Sequence, residues 1–153
     1  KTLEGRKIGV LVADGFNADA LAALKKGAEA EKATLAVIAP KVGGAKDSGN
    51  KTVEAQMALS GAPSIFFDAV VVLASKESGT MLASDAAAVD WVRDAFSHCK
   101  VIGHNTDAQP LLDAAGVKKD AGIMEVSQGT DAFLEAAKNG RVWAREPEVR
   151  PHG

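Results

Sequence analysis

The side chains best suited to chemistry stand in one polar turn. This turn consists of His104, Asn105, Thr106 and Asp107. The apolar run Val101–Gly103 precedes the turn, and Pro110 follows at a position that suits the first turn of a helix. A strand, a sharp turn and a helix form the junction where many α/β enzymes display a nucleophile. Because the turn contains neither Cys nor Ser, we predict the architecture of an active site without its nucleophile.

The chain has one cysteine, Cys99, and it is a poor replacement for that nucleophile. Its position predicts the carboxyl terminus of a helix, where the helix dipole disfavours a thiolate. We therefore predict a small buried core residue. One cysteine also excludes an intrachain disulfide and a multi-cysteine metal site. The histidines His98, His104 and His152 are isolated from one another, so the sequence predicts no metal site.

A second polar group follows the first apolar run of the chain. Asp14-Gly15 ends that run, Asn17 is placed to cap a helix, and Asp19 lies in its first turn. In parallel α/β sheets, ligands bind at the carboxyl ends of strands. This rule places the polar turn 104–107 at one strand end and Asn17 and Asp19 at another. From these groups we take four residues as a candidate site: Asp19, His104, Asn105 and Thr106. Two interpretations stay open: these groups only satisfy the turn backbone, or they retain a small-ligand site.

Nucleotide motifs do not occur in the chain. No G-x-G-x-x-G follows the first apolar run, and no G-x-x-x-x-G-K-S/T is present. The first turn, Asp14–Asn17, contains a single glycine. The sequence therefore predicts neither a dinucleotide nor a nucleoside triphosphate site, and no cofactor is predicted for this domain.

Apolar runs alternate with helical patterns along the chain. Four runs predict strands buried on both faces: Lys7–Ala13, Thr34–Ala39, Ala69–Ala74 and Lys100–Gly103. Predicted helices cover 18–31, 85–98, 110–115 and 130–138, and a last short strand covers 120–127. Turn-rich residues 41–56 predict a β-hairpin or an irregular excursion from the sheet. Alternating strands and helices predict an α/β fold with a mostly parallel central sheet and helices on both faces.

Bulk properties fit one domain with a substantial core. The chain has 153 residues, of which 46% are hydrophobic and 25% charged, and its formal net charge is −2. We predict a linker over residues 1–6, the domain over 7–144 and a C-terminal tail over 145–153. A linker leading straight into a strand is how a domain cut from a longer protein would begin.

Charge and hydropathy also bear on partners. Basic and acidic residues are mixed, so no basic stripe predicts nucleic-acid binding. No apolar run is long enough to predict a membrane span, and the first residues lack the apolar core of a signal peptide. The compartment stays open. Asn50-Lys51-Thr52 is a formal glycosylation sequon, which matters only in a secreted parent.

Several segments together resemble one family. They are Val10–Asp19, Ser60–Ser64, Ala69–Ala74, Val101–Leu112 and Gly140–Pro147. In this order they resemble the DJ-1/PfpI superfamily and, within it, the C-terminal domain of large-subunit catalases. The resemblance covers essentially the whole chain and implies a flavodoxin-like three-layer sandwich.

The resemblance also implies where a site would stand. Active members of the superfamily place a cysteine at the turn and an acidic residue from the first helix beside it. These positions fall on Asn105 and Asp19, and no His follows the turn before His152. Since Asn is no thiolate nucleophile, we expect a vestigial site without protease, deglycase or glyoxalase activity.

For the parent protein, the resemblance implies a catalase that disproportionates hydrogen peroxide at a haem in a separate domain. This chain has no Tyr to serve as the proximal haem ligand. The implied partners are the catalase core and, through it, a homo-oligomeric parent.

Three functions are compatible with these residues and with the resemblance. The first is an accessory domain that supports stability and assembly, with a chaperone (holdase) role toward unfolding client proteins. The second is a DJ-1/PfpI-type glyoxalase, deglycase or amidohydrolase that uses Cys99 or the polar turn. The third is a small-ligand binding module at the strand ends.

Overall fold

A computed structural model describes residues 2–149 of the chain. Lys1 and residues 150–153 lie outside the described residues, and with them His152 and the end of the predicted tail. The strands are β1 (Lys7–Val12), β2 (Thr34–Ala39), β3 (Ala45–Lys46), β4 (Thr52–Val53), β5 (Met57–Ala58), β6 (Ala69–Leu73), β7 (Val101–His104) and β8 (Ile123–Glu125). The helices are α1 (Ala18–Ala30), α2 (Lys76–Ala83), α3 (Ala86–Ser97), α4 (Gln109–Ala114), α5 (Asp131–Lys138) and α6 (Glu146–Val149).

The central sheet of the described chain is parallel throughout. Its six strands stand in the order β5-β2-β1-β6-β7-β8, and each neighbouring pair is parallel. Strands β3 and β4 form the predicted hairpin outside this sheet, pairing antiparallel. Asn50 lies exposed in the turn of this hairpin with a φ of 65°, and its glycosylation stays a prediction.

Helices cover both faces of the sheet because its strands carry apolar residues on both faces. In β6, Val70 and Val72 pack with α2, α3 and α4, whereas Val71 and Leu73 pack with α1 and α5. These two clusters are the two layers of core on either side of the sheet. The predicted α/β three-layer sandwich with a mostly parallel sheet is confirmed.

Some elements differ from the sequence prediction. The sequence did not predict α2, which contains the weak helix formers Ser78, Gly79 and Thr80. It also missed β5, which is only two residues long. The last strand is confined to Ile123–Glu125, because Asp120 accepts a hydrogen bond from the Gly122 N–H and forms a turn before it.

Both segments that flank the predicted domain contribute to its packing. Leu3, within the predicted linker, is 1% exposed and belongs to the core cluster beneath α1. Arg145, at the start of the predicted tail, is 2% exposed, and α6 follows it. A single apolar residue and a buried cation produce no period in the sequence, so the pattern of hydrophobic residues did not reveal them.

The order of the strands determines where a site forms. From β1 the chain proceeds to β2 on one side and later to β6 on the other, so the direction of winding reverses between β1 and β6. At such a reversal the connections diverge and leave a crevice beyond the carboxyl ends of the strands. Below, the carboxyl end and the amino end of the sheet denote its two ends along the strand direction.

Candidate functional site

A cleft at the carboxyl end of the sheet contains two of the four predicted site residues. It measures about 310 Å³ and is lined by Asp19 from the first turn of α1 and by Asn105 after β7. Other polar groups in the lining are Asn17, Ser127 and Thr130. Asn17 caps α1, accepting hydrogen bonds from the N–H groups of residues 19 and 20 at 2.8 and 3.2 Å.

Both polar atoms of the Asn105 amide bind the backbone of the residue that follows β6. Its Oδ1 accepts the N–H of Ala74 at 3.0 Å, and its Nδ2 donates to the Ala74 carbonyl at 2.7 Å. The Asn105 N–H donates to the Val72 carbonyl at 3.2 Å. This side chain therefore continues the pairing of β6 and β7 by one further step beyond the strands, and its polar atoms serve the sheet.

The backbone at Asn105 is relaxed. Its φ of −90° and ψ of 168° are extended values, whereas a nucleophile elbow is a sharp, strained turn. Among the described non-glycine residues, positive φ occurs at Lys32, Asn50 and Cys99. The turn thus has the place of a nucleophile elbow in the topology without its strained conformation.

Helix α2 fixes the turn from the other side. Gly79 of α2 lies so close to the carbonyl of Asp107 that a Cβ at residue 79 would overlap it. At the start of α2, Ser75 and Ser78 form a reciprocal capping box, and the Ser75 hydroxyl donates to the Asp14 carbonyl at 2.7 Å. The sequence signal for α2 is this pair of serines three residues apart, followed by the glycine.

His104 and Thr106 do not line the cleft that contains Asp19 and Asn105. The buried imidazole of His104 has its Nδ1 2.9 Å from the carbonyl of Asn105, so Nδ1 carries the proton. The ring lines a separate pocket of about 130 Å³, together with Gln109, Lys119 and Glu125. Of the four predicted residues, Asp19 and Asn105 line the first cleft, His104 lines the second pocket, and Thr106 lines neither.

Thr106 acts on Glu125 of the neighbouring strand. Its hydroxyl donates to the Glu125 carboxylate, and the Ser127 hydroxyl donates to the same oxygen at 3.0 Å. These two hydrogen bonds, with smaller contributions from the charges of His104 and Lys119, hold the pKa of Glu125 below its usual range. The result is an anionic side chain at the mouth of the His104 pocket.

Cys99 is buried, as predicted, with 4% of its surface exposed. It stands two residues beyond the end of α3 with a left-handed φ of 60°, so it closes the helix instead of extending its apolar face. Its carbonyl accepts the Val142 N–H at 2.5 Å. Burial, the left-handed backbone and the hydrogen bond to Val142 all indicate a structural role for Cys99 at the amino end of the sheet.

Neither a metal-binding cluster nor a membrane-spanning helix is found in the part of the chain that the structure describes. Within residues 2–149, no group of three or more His, Cys, Asp or Glu side chains is arranged to hold a metal ion. In the same part of the chain, no helix combines the length and the apolar character needed to cross a membrane.

Buried charges stand at the amino end of the sheet. The Arg145 guanidinium binds both carboxylate oxygens of Asp120 at 2.6 and 3.0 Å. It also donates to the carbonyls of Phe96 at 3.1 Å and Lys100 at 2.8 Å. Burial alone would raise the pKa of Asp120, but the hydrogen bonds from Arg145 and from the Gly122 N–H outweigh burial and lower it.

Lys100 is the second buried cation at this end. Its ammonium donates to the carbonyls of Ser64 and Ile65, each at 3.0 Å, and to that of Phe67. Burial lowers the pKa of Lys100, and the nearby charge of Arg141 lowers it further. Three carbonyls satisfy its three N–H groups, which identifies the lysine as structural.

Solved structures with the same arrangement are DJ-1-type proteins. A DJ-1 superfamily protein from Salmonella typhimurium superimposes with a TM-score of 0.72 at 18% identity, covering 86% of each chain. Drosophila melanogaster DJ-1beta gives a TM-score of 0.73 at 16% identity over 95% of each chain. At these identities the likeness defines the fold class, which is that of the DJ-1/ThiJ/PfpI proteins.

Sequence relatives define the family more narrowly. The family described as the C-terminal domain found in long catalases matches residues 4–147, and the chain belongs to this family. Catalase C of Rhizobium meliloti is 46% identical over 98% of this chain and 22% of its own length. Catalase HPII of Pseudomonas putida is 32% identical over 94% of this chain and 20% of its own length. The chain thus spans about a fifth of these relatives.

Proposed function

We propose that this chain is a non-catalytic accessory domain of a long catalase and supports the stability and assembly of the catalase core. Membership of the C-terminal domain family carries the proposal. The site supports the non-catalytic part: the residue at the nucleophile position is an amide, and both of its polar atoms bind the backbone of Ala74. A side chain used in this way is unavailable to attack a substrate.

Haem chemistry belongs to the preceding part of such a protein. The chain contains no Tyr, and the buried His104 lines a pocket of about 130 Å³. A pocket of that size falls below the range of 300–1,000 Å³ that drug-sized molecules require, so it does not fit a haem macrocycle. In this proposal, peroxide disproportionation takes place entirely outside residues 1–153.

Truncation of the long protein tests the proposal. We expect a version that ends before residue 1 to keep its peroxide-disproportionating activity per haem within about threefold, since no catalytic group has been removed. Its temperature of half-inactivation should fall, since a packed domain no longer supports the core. Equal heat resistance would contradict the stabilising role. Loss of activity at full haem content would contradict the accessory role.

A direct assay tests the absence of thiol chemistry. The purified 153-residue chain should consume no methylglyoxal, and the Cys99→Ala variant should behave in the same way, because Cys99 is buried. Robust turnover by the unmodified chain would contradict the proposal, and its loss on Cys99→Ala would identify the thiol as the nucleophile.

A chaperone (holdase) role is the second candidate. The observation that favours it is the exposure of large apolar side chains, with Phe66 at 58% and Trp143 at 61%. The chain at equal molar ratio should reduce the aggregation of a heated client protein. Phe66→Ser with Trp143→Ser should abolish that protection, and an unchanged client scattering trace with the original chain would contradict this role.

A further inference from the structure

A second pocket at the carboxyl end of the sheet has polar groups of both charges in its lining. We call this cavity of about 130 Å³ the His104 pocket; its polar lining residues are His104, Gln109, Lys119 and Glu125. It shares no lining residue with the cleft that contains Asp19, so the two cavities are separate candidates for a ligand.

The sheet places His104 and Glu125 side by side. They are register partners in the parallel pairing of β7 with β8, so their side chains leave the same face of the sheet. Ile102, two residues before His104, belongs to the same core cluster as Leu112 of α4, and Leu112 also lines the pocket. The His104 pocket therefore lies between the ends of these two strands and α4.

The imidazole of His104 has one nitrogen without a partner. The side chain is 6% exposed, and its Nδ1 donates to the Asn105 carbonyl at 2.9 Å. Within residues 2–149, no group binds the other ring nitrogen, Nε2. Because Nδ1 carries the proton, Nε2 is a hydrogen-bond acceptor. A polar atom on a side chain this buried normally has a partner, so Nε2 indicates a site for a donor.

Two more acceptors belong to the same lining. The Glu125 carboxylate accepts the hydroxyls of Thr106 and Ser127 through Oε1, and in the described chain its Oε2 accepts no hydrogen bond. These hydrogen bonds lower its pKa and keep it ionised at neutral pH. Gln109 donates through Nε2 to Asp113 at 2.8 Å, which leaves its Oε1 as an acceptor. Three acceptors match the three N–H groups of an ammonium ion.

Lys119 adds a positive group to the lining. Its charge contributes to the lowered pKa of Glu125, but the two side chains form no ion pair in the part of the chain that the structure describes. Opposite charges that line one pocket without contact leave room for a molecule that carries both charges. The volume of the pocket equals that of about four water molecules, which restricts the ligand to a very small one.

We propose that the His104 pocket binds a small zwitterion of the amino-acid type, such as glycine or alanine. The ammonium group of the ligand donates to His104 Nε2, Glu125 Oε2 and Gln109 Oε1. The carboxylate of the ligand pairs with the Lys119 ammonium, and Leu112 contacts its carbon atoms. This site goes beyond the accessory role and does not depend on catalase activity.

An NMR titration with three probes tests the site. The isotope-labelled 153-residue chain is titrated with glycine, methylammonium and acetate, and the signals of the His104 ring nitrogens and of the backbone amides are followed. We expect glycine to bind with a Kd of about 1 mM and to shift the His104 Nε2 signal. Methylammonium, which lacks the carboxylate, should bind about fivefold more weakly, and acetate should bind more weakly still.

Matched variants test the two charged residues separately. Lys119→Gln should weaken glycine binding about fivefold and leave methylammonium binding unchanged, because only the carboxylate uses this lysine. Lys118→Gln is the control, since that exposed lysine does not line the pocket, and it should change neither Kd. Glu125→Gln should weaken the binding of both probes at least about tenfold, because it removes the anionic acceptor.

Four results would overturn the proposal. They are no shift with glycine, shifts confined to residues 126–130 beside the other cleft, equal effects of Lys118→Gln and Lys119→Gln, and acetate binding as tight as that of glycine. Thermal unfolding of each variant is measured in parallel. If Glu125→Gln does not fold, the two lysine variants and the three probes on the original chain still decide the proposal.

Discussion

The two ends of the sheet use polar residues in opposite ways. At the amino end, Arg145 and Lys100 are buried, and their N–H groups bind named carboxylate or carbonyl oxygens. At the carboxyl end, Asp19 and Glu125 are exposed beside clefts. Asn105 and Thr106 there link β7 to its two neighbouring strands, Asn105 by binding Ala74 and Thr106 by binding Glu125.

This contrast distinguishes polar residues that stabilise such a fold from polar residues that are available to a ligand. A buried charge whose N–H groups bind carboxylate or carbonyl oxygens avoids the cost of an unpaired buried group, and the N–H groups bound in this way are not available to a ligand. An exposed carboxylate beside a cleft contributes little to stability and keeps its oxygens available to a ligand. By this criterion the buried cations of the amino end are scaffold, and so is Asn105 at the carboxyl end, whereas Asp19 and Glu125 there are exposed beside clefts.

The largest expected effect is at the amino end. Arg145→Met removes the partner of Asp120 and two backbone carbonyls from a side chain with no exposed surface. We expect the free energy of unfolding in urea to fall by about 3 kcal/mol, in the range for a broken buried ion pair.

The matched control for this variant is an exposed arginine. Arg93 pairs with Asp90 at 3.3 Å, and both side chains are more than half exposed. Arg93→Met should change the free energy of unfolding by less than about 0.5 kcal/mol, because water screens such pairs. Equal losses in the free energy of unfolding for the two variants would contradict the structural role assigned to the buried cation.

The next effect is at the carboxyl end. Asn105→Ala removes two hydrogen bonds and leaves the N–H and the carbonyl of Ala74 without partners. We expect a loss of about 2 kcal/mol in the free energy of unfolding. Gln109→Ala is the control, because that amide donates to Asp113 on an exposed helix surface. A neutral Asn105→Ala would show that Asn105 is not part of the scaffold.

Acid sensitivity separates the two ends further. The pKa of Asp120 is lowered in the folded chain, so its ionised form stabilises the fold above the unfolded pKa, near 3.8. This stability is lost as pH falls through the still lower folded pKa. Asp120→Asn should cost about 1 kcal/mol at pH 7, and the difference from the original chain should shrink below pH 4.

Glu125→Gln is the comparison at the carboxyl end. The Glu125 carboxylate is exposed, and its lowered pKa comes first from the hydroxyls of Thr106 and Ser127. Since water competes for these hydrogen bonds, Glu125→Gln should shift the urea midpoint less than Asp120→Asn does, at every pH. A larger acid effect at Glu125 than at Asp120 would reverse the assignment of the two ends.

The smallest effect concerns backbone strain. Lys32 follows α1 at the amino end of the sheet with a φ of 58°, a conformation that suits glycine. Lys32→Gly should raise the free energy of unfolding by about 0.5 kcal/mol, because relief of strain exceeds the added entropy of the unfolded chain. Asn50→Gly should be close to neutral, since Asn tolerates this conformation. A destabilised Lys32→Gly variant would show that its backbone is unstrained.

Much of the fold could be predicted because buried parallel strands leave a local trace. Apolar runs such as Thr34–Ala39 and Ala69–Leu73 are continuous, and each is followed by turn residues or a helix cap. The strand order then follows from short connections and their handedness. The proximity of Asp19 and Asn105 in one cleft follows from the same topology.

The remaining features depend on contacts between distant residues. Asp120 and Arg145 are 25 positions apart, and Ala74 and Asn105 are 31 apart, so no sequence period marks either pair. The sequence therefore suggested a tail where Arg145 is buried. Helix α2 was missed because Gly79, which allows close packing against the Asp107 carbonyl, is a weak helix former.

The double hydrogen bond of Asn105 also limits the routes by which such a chain changes over generations. A single substitution to cysteine would supply a thiol, but the same step would remove both contacts to Ala74 and weaken the seam between β6 and β7. A chain that acquired a thiol at residue 105 would therefore need additional stability from elsewhere in the fold. The stability that the Asn105 amide supplies thus opposes the appearance of a thiol at this position, whatever the demand for catalysis.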